Sequence, residues 1–158
     1  MTQNAGSDKE AQTAIRAAWL LSLSGFLPFL VLSVGLLLSG QNGVWYPLLA
    51  DGFKTWSAII LSFLGGIRWG MALRDSPMSR SSLSRLVFSV IASIIGWISL
   101  FLPDALCLMV LLVAFCAQGA WDSFSIHAGQ APAWFARLRI TLTLLVAASH
   151  AIALLALF

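Results

Sequence analysis

The chain has 158 residues, of which 59% are hydrophobic and only 9% charged, and its mean hydropathy is +0.91. A soluble domain covers itself with roughly a quarter charged residues, so this composition excludes an ordinary water-soluble globule and makes lipid part of the solvent. The net charge of +3 and pI of about 9.4 do not indicate nucleic acid, because the charges lie between apolar runs and form no basic face.

Residues 1–14, opening MTQNAGSDKEAQ, are polar and are expected to form a disordered tail. Residues 15–158 are expected to form one all-α integral membrane domain. A spanning helix needs ~20 apolar residues to cross a hydrocarbon core about 30 Å thick, and five stretches meet or approach that length. The expected spans are about 17–38, 55–73, 86–102, 105–127 and 138–158. The first contains Pro28 in GFLPFLV, which should kink it and free a backbone carbonyl. Its apolar run exceeds the usual 7–15 residues of a signal-peptide core, and no A-x-A-like site follows LLLSGQNG, so a retained anchor is expected.

The second span holds LSFLGGIRWGMAL, an arginine set among glycines. Ser62, Gly66 and Gly70 recur at i, i+4, i+8, a small-residue stripe suited to close helix approach, with Gly65 beside it. At about 100° per residue Arg68 points about 160° away from that stripe. The third span offers a matching stripe at Ser89, Ser93 and Gly96. Only Pro103 and Asp104 separate spans three and four, which are therefore expected to form a tight antiparallel hairpin with Asp104 as N-cap. Before span five, QAPAWFARLR reads as a helix start, with Pro132 in the first turn and Arg137 and Arg139 facing anionic lipid. His150, ~10 residues into span five, is a candidate polar relay; the plainer expectation is a neutral imidazole bonded to a hydroxyl of span one or three.

The basic residues orient the bundle. Lys9, Arg16, Arg74, Arg80, Arg85, Arg137 and Arg139 all fall on one side of a five-span topology, and only Lys54 on the other. The positive-inside rule then places the N-terminus in the cytoplasm and the C-terminus in the periplasm of a bacterial inner membrane. The aromatic residues Trp45, Tyr46 and Trp56 are expected near the outer interface, and Trp19, Trp121 and Trp134 near the inner one; Trp69 and Trp97 fall inside spans.

Arg68 is the residue that asks for an explanation, because a cation within a span is costly and by default functional. It could snorkel toward the interface near Arg74. The competing expectation is an ion pair with Asp122, which lies ~25 Å along span four, at the level of Arg68, and shares a helix face with Gln118. Such a pair, supported by Gln118, would either hold a ligand or specify how spans two and four pack.

Other chemistry is sparse. Cys107 and Cys116 are out of phase on one helix, cannot bridge, and are expected to be inert core cysteines. His127 and His150 differ in depth by well over 10 Å, so no shared metal is expected. No C-x-x-C, H-E-x-x-H or Gly-rich phosphate loop is present, and no cofactor is expected.

LSFLGGIRWGMAL and PAWFARLRITLTLLV, with GFLPFL in span one, resemble the transmembrane protein 69 family, a small multi-helix group of unknown function in bacteria and mitochondria. The resemblance covers about Trp19 to Val146. It implies that Gly65, Gly66, Trp69 and Gly70 belong to one family motif, and Pro132, Trp134, Leu138 and Arg139 to another. The family often has histidine where this chain has Arg68, which favours a fixed cation there over a proton-exchanging group. The expected function is a non-catalytic accessory, assembly or scaffold protein of a membrane complex, with lipid, partner subunits or further copies of itself as partners. The alternative is a small carrier or binding protein for an anionic or amphipathic ligand at Arg68 and Asp122.

Overall fold

A computed structural model describes residues 2–74, 80–127 and 132–157. Five helices follow one another: α1 (Thr2–Ser39), α2 (Tyr46–Ala72), α3 (Arg80–Ser99), α4 (Asp104–His127) and α5 (Ala133–Leu155). Each is long and apolar enough to cross a bilayer, and no strand occurs among the described residues. The multi-pass, all-helical class expected from composition is therefore the observed one. Closed helices are also what lipid demands, since they satisfy every backbone polar group within the segment.

Local chemistry sets several of the boundaries. α1 stops where Gly40 adopts φ +61°, a left-handed conformation that glycine reaches at little cost, while its N–H still bonds the Leu36 carbonyl at 3.0 Å. α2 begins earlier than the apolar run suggests, with Pro47 in its first turn. α5 has Pro132 at its N-cap, with φ −70° and ψ 152°. α1 also departs from expectation: helix continues through the polar stretch assigned above to a tail. Its Ala, Gln, Lys and Glu residues are good helix formers, and Thr13 Oγ1 donates to the Lys9 carbonyl at 2.8 Å. At 38 residues α1 is roughly 57 Å long, so its first turns extend beyond a core about 30 Å thick.

α2 packs against α1, α3 and α4, and α5 closes the bundle against α1 and α4. The core centres on Phe29, Phe53 and Phe115, with Leu36, Leu61, Leu111 and Val146 around them. Outward positions are just as apolar: Leu21, Val31, Phe63, Val113, Phe124 and Leu144 are all largely exposed. In water such a surface would aggregate; against acyl chains it is a solvated surface. α1 runs on through Pro28, and Trp56 Nε1 donates to the nearby Gly25 carbonyl at 3.2 Å. Trp56 thus braces α2 on α1. Trp69 and Trp97 face outward, exposed toward lipid.

The small-residue stripe is not the packing face. A Cβ on Gly66 or Gly70 would meet nothing within 4 Å, whereas one on Gly65 would lie 2.4 Å from the Ser89 carbonyl oxygen. α2 buries Ala58, Leu61, Gly65, Arg68 and Ala72, so its inward face carries the arginine and Gly66 and Gly70 look out. Ser62 is half-buried. On α3 the expected partners are partly in place: Ser89 opposes Gly65, and Gly96 opposes Ala58, whose carbonyl oxygen would be 3.1 Å from an added Cβ; Ser93 is half-buried.

Candidate functional site

Three charged side chains meet at the arginine-rich end of the bundle. Arg68 comes from α2, Asp122 from α4 and Arg139 from α5, and they are only 7%, 4% and 5% exposed. Arg68 Nε donates to Asp122 Oδ1 at 2.5 Å, and its Nη2 pairs with the same oxygen. Arg139 approaches from the other side, its Nε donating to Oδ2 and its Nη2 pairing with it. Each carboxylate oxygen therefore serves one guanidinium. The Trp121 ring lies 6.0 Å from Arg68 Cζ, adding a cation–π contact, and Phe88 packs on Trp121 at a centroid distance of 4.9 Å.

Close helix contacts put these groups within reach of one another. Gly119, one turn before Asp122, lies so near Thr143 that an added Cβ would be 2.4 Å from Oγ1. Thr143 lies one turn after Arg139, so the same α4–α5 approach carries the arginine to the carboxylate. Gly65, one turn before Arg68, brings α3 against α2 in the same way.

The ion pair between Arg68 and Asp122 is present, and Arg68 does not snorkel. The third member differs from expectation. Gln118 is half-buried and lines a cavity on the α3 side; the second partner of Asp122 is Arg139. Arg139 is thus buried and not turned to anionic lipid, while Arg137 is exposed. The observed helix bounds account for it. Asp122 lies five residues before the end of α4 and Arg139 six after the start of α5, which sets them at one depth in a hairpin.

His150 is fully buried, with its ring 4.8, 5.9 and 5.4 Å from those of Phe53, Phe29 and Phe115. Nδ1 lies 2.9 Å from the Val146 carbonyl of its own helix, not against a hydroxyl of α1 or α3. Nε2 has no hydrogen-bond partner among the described residues. A relay needs a polar neighbour to receive the proton, and the three phenylalanines supply none. Cys107 is buried as expected, but Cys116 is exposed on the outside of α4. The side chain of His127 lies outside the described residues. No group of three metal-capable side chains occurs among the described residues.

The opposite end carries a second polar cluster. Lys54 Nζ pairs with Asp51 at 2.8 Å and Asp104 at 2.7 Å, and Tyr46 Oη donates to Asp104 at 3.0 Å. Asp104 sits in the first turn of α4 and joins that helix to α2 through its carboxylate.

Two cavities flank the triad. One, of about 220 Å³, lies among α2, α3 and α4 with Arg68, Arg85, Gln118 and Trp121 at its border. The other, of about 130 Å³, lies among α1, α2, α4 and α5 and is bordered by Arg139 and Thr143.

Comparison with known proteins finds a family match over residues 14–155, to the family described as "Protein of unknown function (DUF3429)". The chain is 30% identical to Transmembrane protein 69 of Xenopus tropicalis over 135 residues, which is 85% of this chain and 52% of that protein. It is 25% identical to Transmembrane protein 69 of Mus musculus over 140 residues, 89% of this chain and 56% of that one. The chain spans about half the length of these curated relatives. No solved structure matches it.

Proposed function

The chain belongs to the DUF3429 family, multi-pass membrane proteins similar to transmembrane protein 69, and we propose from that premise that it is a non-catalytic accessory or scaffold protein of a bacterial inner membrane. The observation that carries this reading is where its polar groups are used. Arg68, Asp122 and Arg139 are buried against one another and tie α2, α4 and α5 together. At the other end Lys54, Tyr46 and Asp104 tie α2 to α4. Charge is thus used to fix helix packing, the best-attested role of buried ion pairs. Meanwhile α2 turns Gly66 and Gly70 outward with nothing within 4 Å of either added Cβ. A G-x-x-x-G free of intramolecular contact suits the close approach of another helix in lipid.

The test uses that vacancy. Gly66→Leu/Gly70→Leu should not lower the melting temperature in mild detergent, because both positions open to free space and leucine favours the helix over glycine. It should convert the assembly seen on native gels or by mass photometry from larger than one chain to a single chain. A wild-type protein that is monomeric throughout, or a double variant that keeps its assembly, would overturn the reading.

A second reading, binding of an anionic or amphipathic ligand, is favoured by one observation, the 220 Å³ cavity that reaches Arg68.

A further inference from the structure

We propose that the cavity among α2, α3 and α4 is a binding groove for one acidic phospholipid, whose headgroup sits at Arg85 and Arg68 and whose acyl chain lies between α3 and α4; this rests on the second reading above. The lining sorts by polarity along the bundle axis, and it does so on all three helices at once. Toward the arginine-rich end stand Arg68 of α2, Arg85 of α3, and Gln118 and Trp121 of α4. Deeper, the same helices supply Leu61, then Ala92 and Ile95, then Ala114. A groove that is polar at one end and apolar along its length fits an amphiphile lying parallel to the helices.

Its dimensions agree. From Arg85 to Ile95 the α3 wall rises roughly 15 Å, about half of a hydrocarbon core ~30 Å thick, which is the depth of a single leaflet. The volume of about 220 Å³ falls below the roughly 300–1,000 Å³ of pockets that enclose a whole small molecule. The occupant therefore keeps much of itself outside the groove, as a lipid does. Small residues, Ser89, Ala92, Ala114 and Ala117, make the depth, and Phe88 and Ile91, both well exposed, form the lip toward the bilayer.

Charge selects the class of lipid. The arginine-rich half of α2–α5 and its connections carries Arg68, Arg74, Arg80, Arg85, Arg137 and Arg139, against Asp75 and Asp122. Six cations against two anions leave a surplus of four positive charges, whatever pairs are made; Lys9 and Arg16 on α1 are balanced by Asp8 and Glu10. That surplus attracts an anionic headgroup by about fivefold in affinity for each arginine near the surface.

The experiment is native mass spectrometry of the full-length protein in neutral detergent, with phosphatidylglycerol, phosphatidylcholine of the same acyl chains, or inorganic phosphate added. Phosphatidylglycerol is expected to be retained at least fivefold more strongly than phosphatidylcholine. Arg85→Gln should lower that preference about fivefold, and Ala117→Phe, which fills the groove from an exposed position, should lower retention of both lipids. Both variants lie outside the buried triad, and their melting temperatures serve as the check on folding. Equal retention of the two lipids, with Ala117→Phe still abolishing it, would overturn the headgroup assignment and leave ligand binding in the groove standing. Retention unaffected by Ala117→Phe would overturn the site itself, and with it the second reading. Stabilisation by phosphate alone, equal to that by phosphatidylglycerol, would overturn the lipid in favour of a small-anion site.

Discussion

At Asp122 two guanidiniums depend on one carboxylate, and that asymmetry decides what substitution there does. Asp122→Asn keeps the shape but leaves two buried cations facing a neutral amide. Breaking a buried pair by removing one partner costs about 3–5 kcal/mol, so thermal or denaturant unfolding in detergent should show a loss of that order. His150 makes the opposite case. With Nε2 unpartnered among the described residues and three phenylalanine rings around it, the imidazole is a polar group held where an apolar one fits. His150→Leu should be neutral or stabilising, by up to about 1–3 kcal/mol if the orphaned nitrogen's desolvation cost is relieved, and the same unfolding measurement reads it. A large loss would mean that the ring has a polar partner in the membrane.

At the scale of helices, the glycines separate into those that hold contacts and those that do not. Gly65→Ala would drive a Cβ to 2.4 Å from the Ser89 carbonyl oxygen, a backbone atom that cannot step aside. The strain of such overpacking is about 1–3 kcal/mol. Gly70→Ala meets open space and should gain up to about 1 kcal/mol from helix propensity. Opposite signs in melting temperature for two glycines five residues apart are the expected result. The Lys54 cluster is a weaker brace. Its Asp51 and Asp104 partners are exposed to 73% and 35%, so Asp104→Asn should cost on the order of 0–1 kcal/mol and less in high salt.

For the whole molecule, five crossings put the two ends of the chain on opposite faces. From the positive-inside count we propose that the N-terminus lies in the cytoplasm. An impermeant label applied to intact cells should therefore reach a tag at Phe158 and not one at Met1. Both tags labelled, or neither, would break the five-span topology; the reverse pattern would leave the topology and invert the orientation.

The depth and sign of Arg68 and Asp122 were legible in the sequence, because rise per residue converts position along a span into depth. Arg139 stands only one residue into the span expected at 138–158, so the same arithmetic put it at the headgroups, and the observed start of α5 at Ala133 is what sets it level with Asp122. The choice between Gly65 and Gly66 was not legible at all.

Length, apolar runs and the placement of arginines by themselves determined that this protein is a membrane bundle of five helices. Bilayer thickness and the cost of burying charge act on each segment separately, so one segment suffices to read them. Which face of α2 turns inward, which arginine completes the triad and where a groove is left open were decided only by tertiary packing. In lipid both faces of a helix are apolar, so hydrophobic periodicity no longer marks the inside. Only the neighbouring helices can do so.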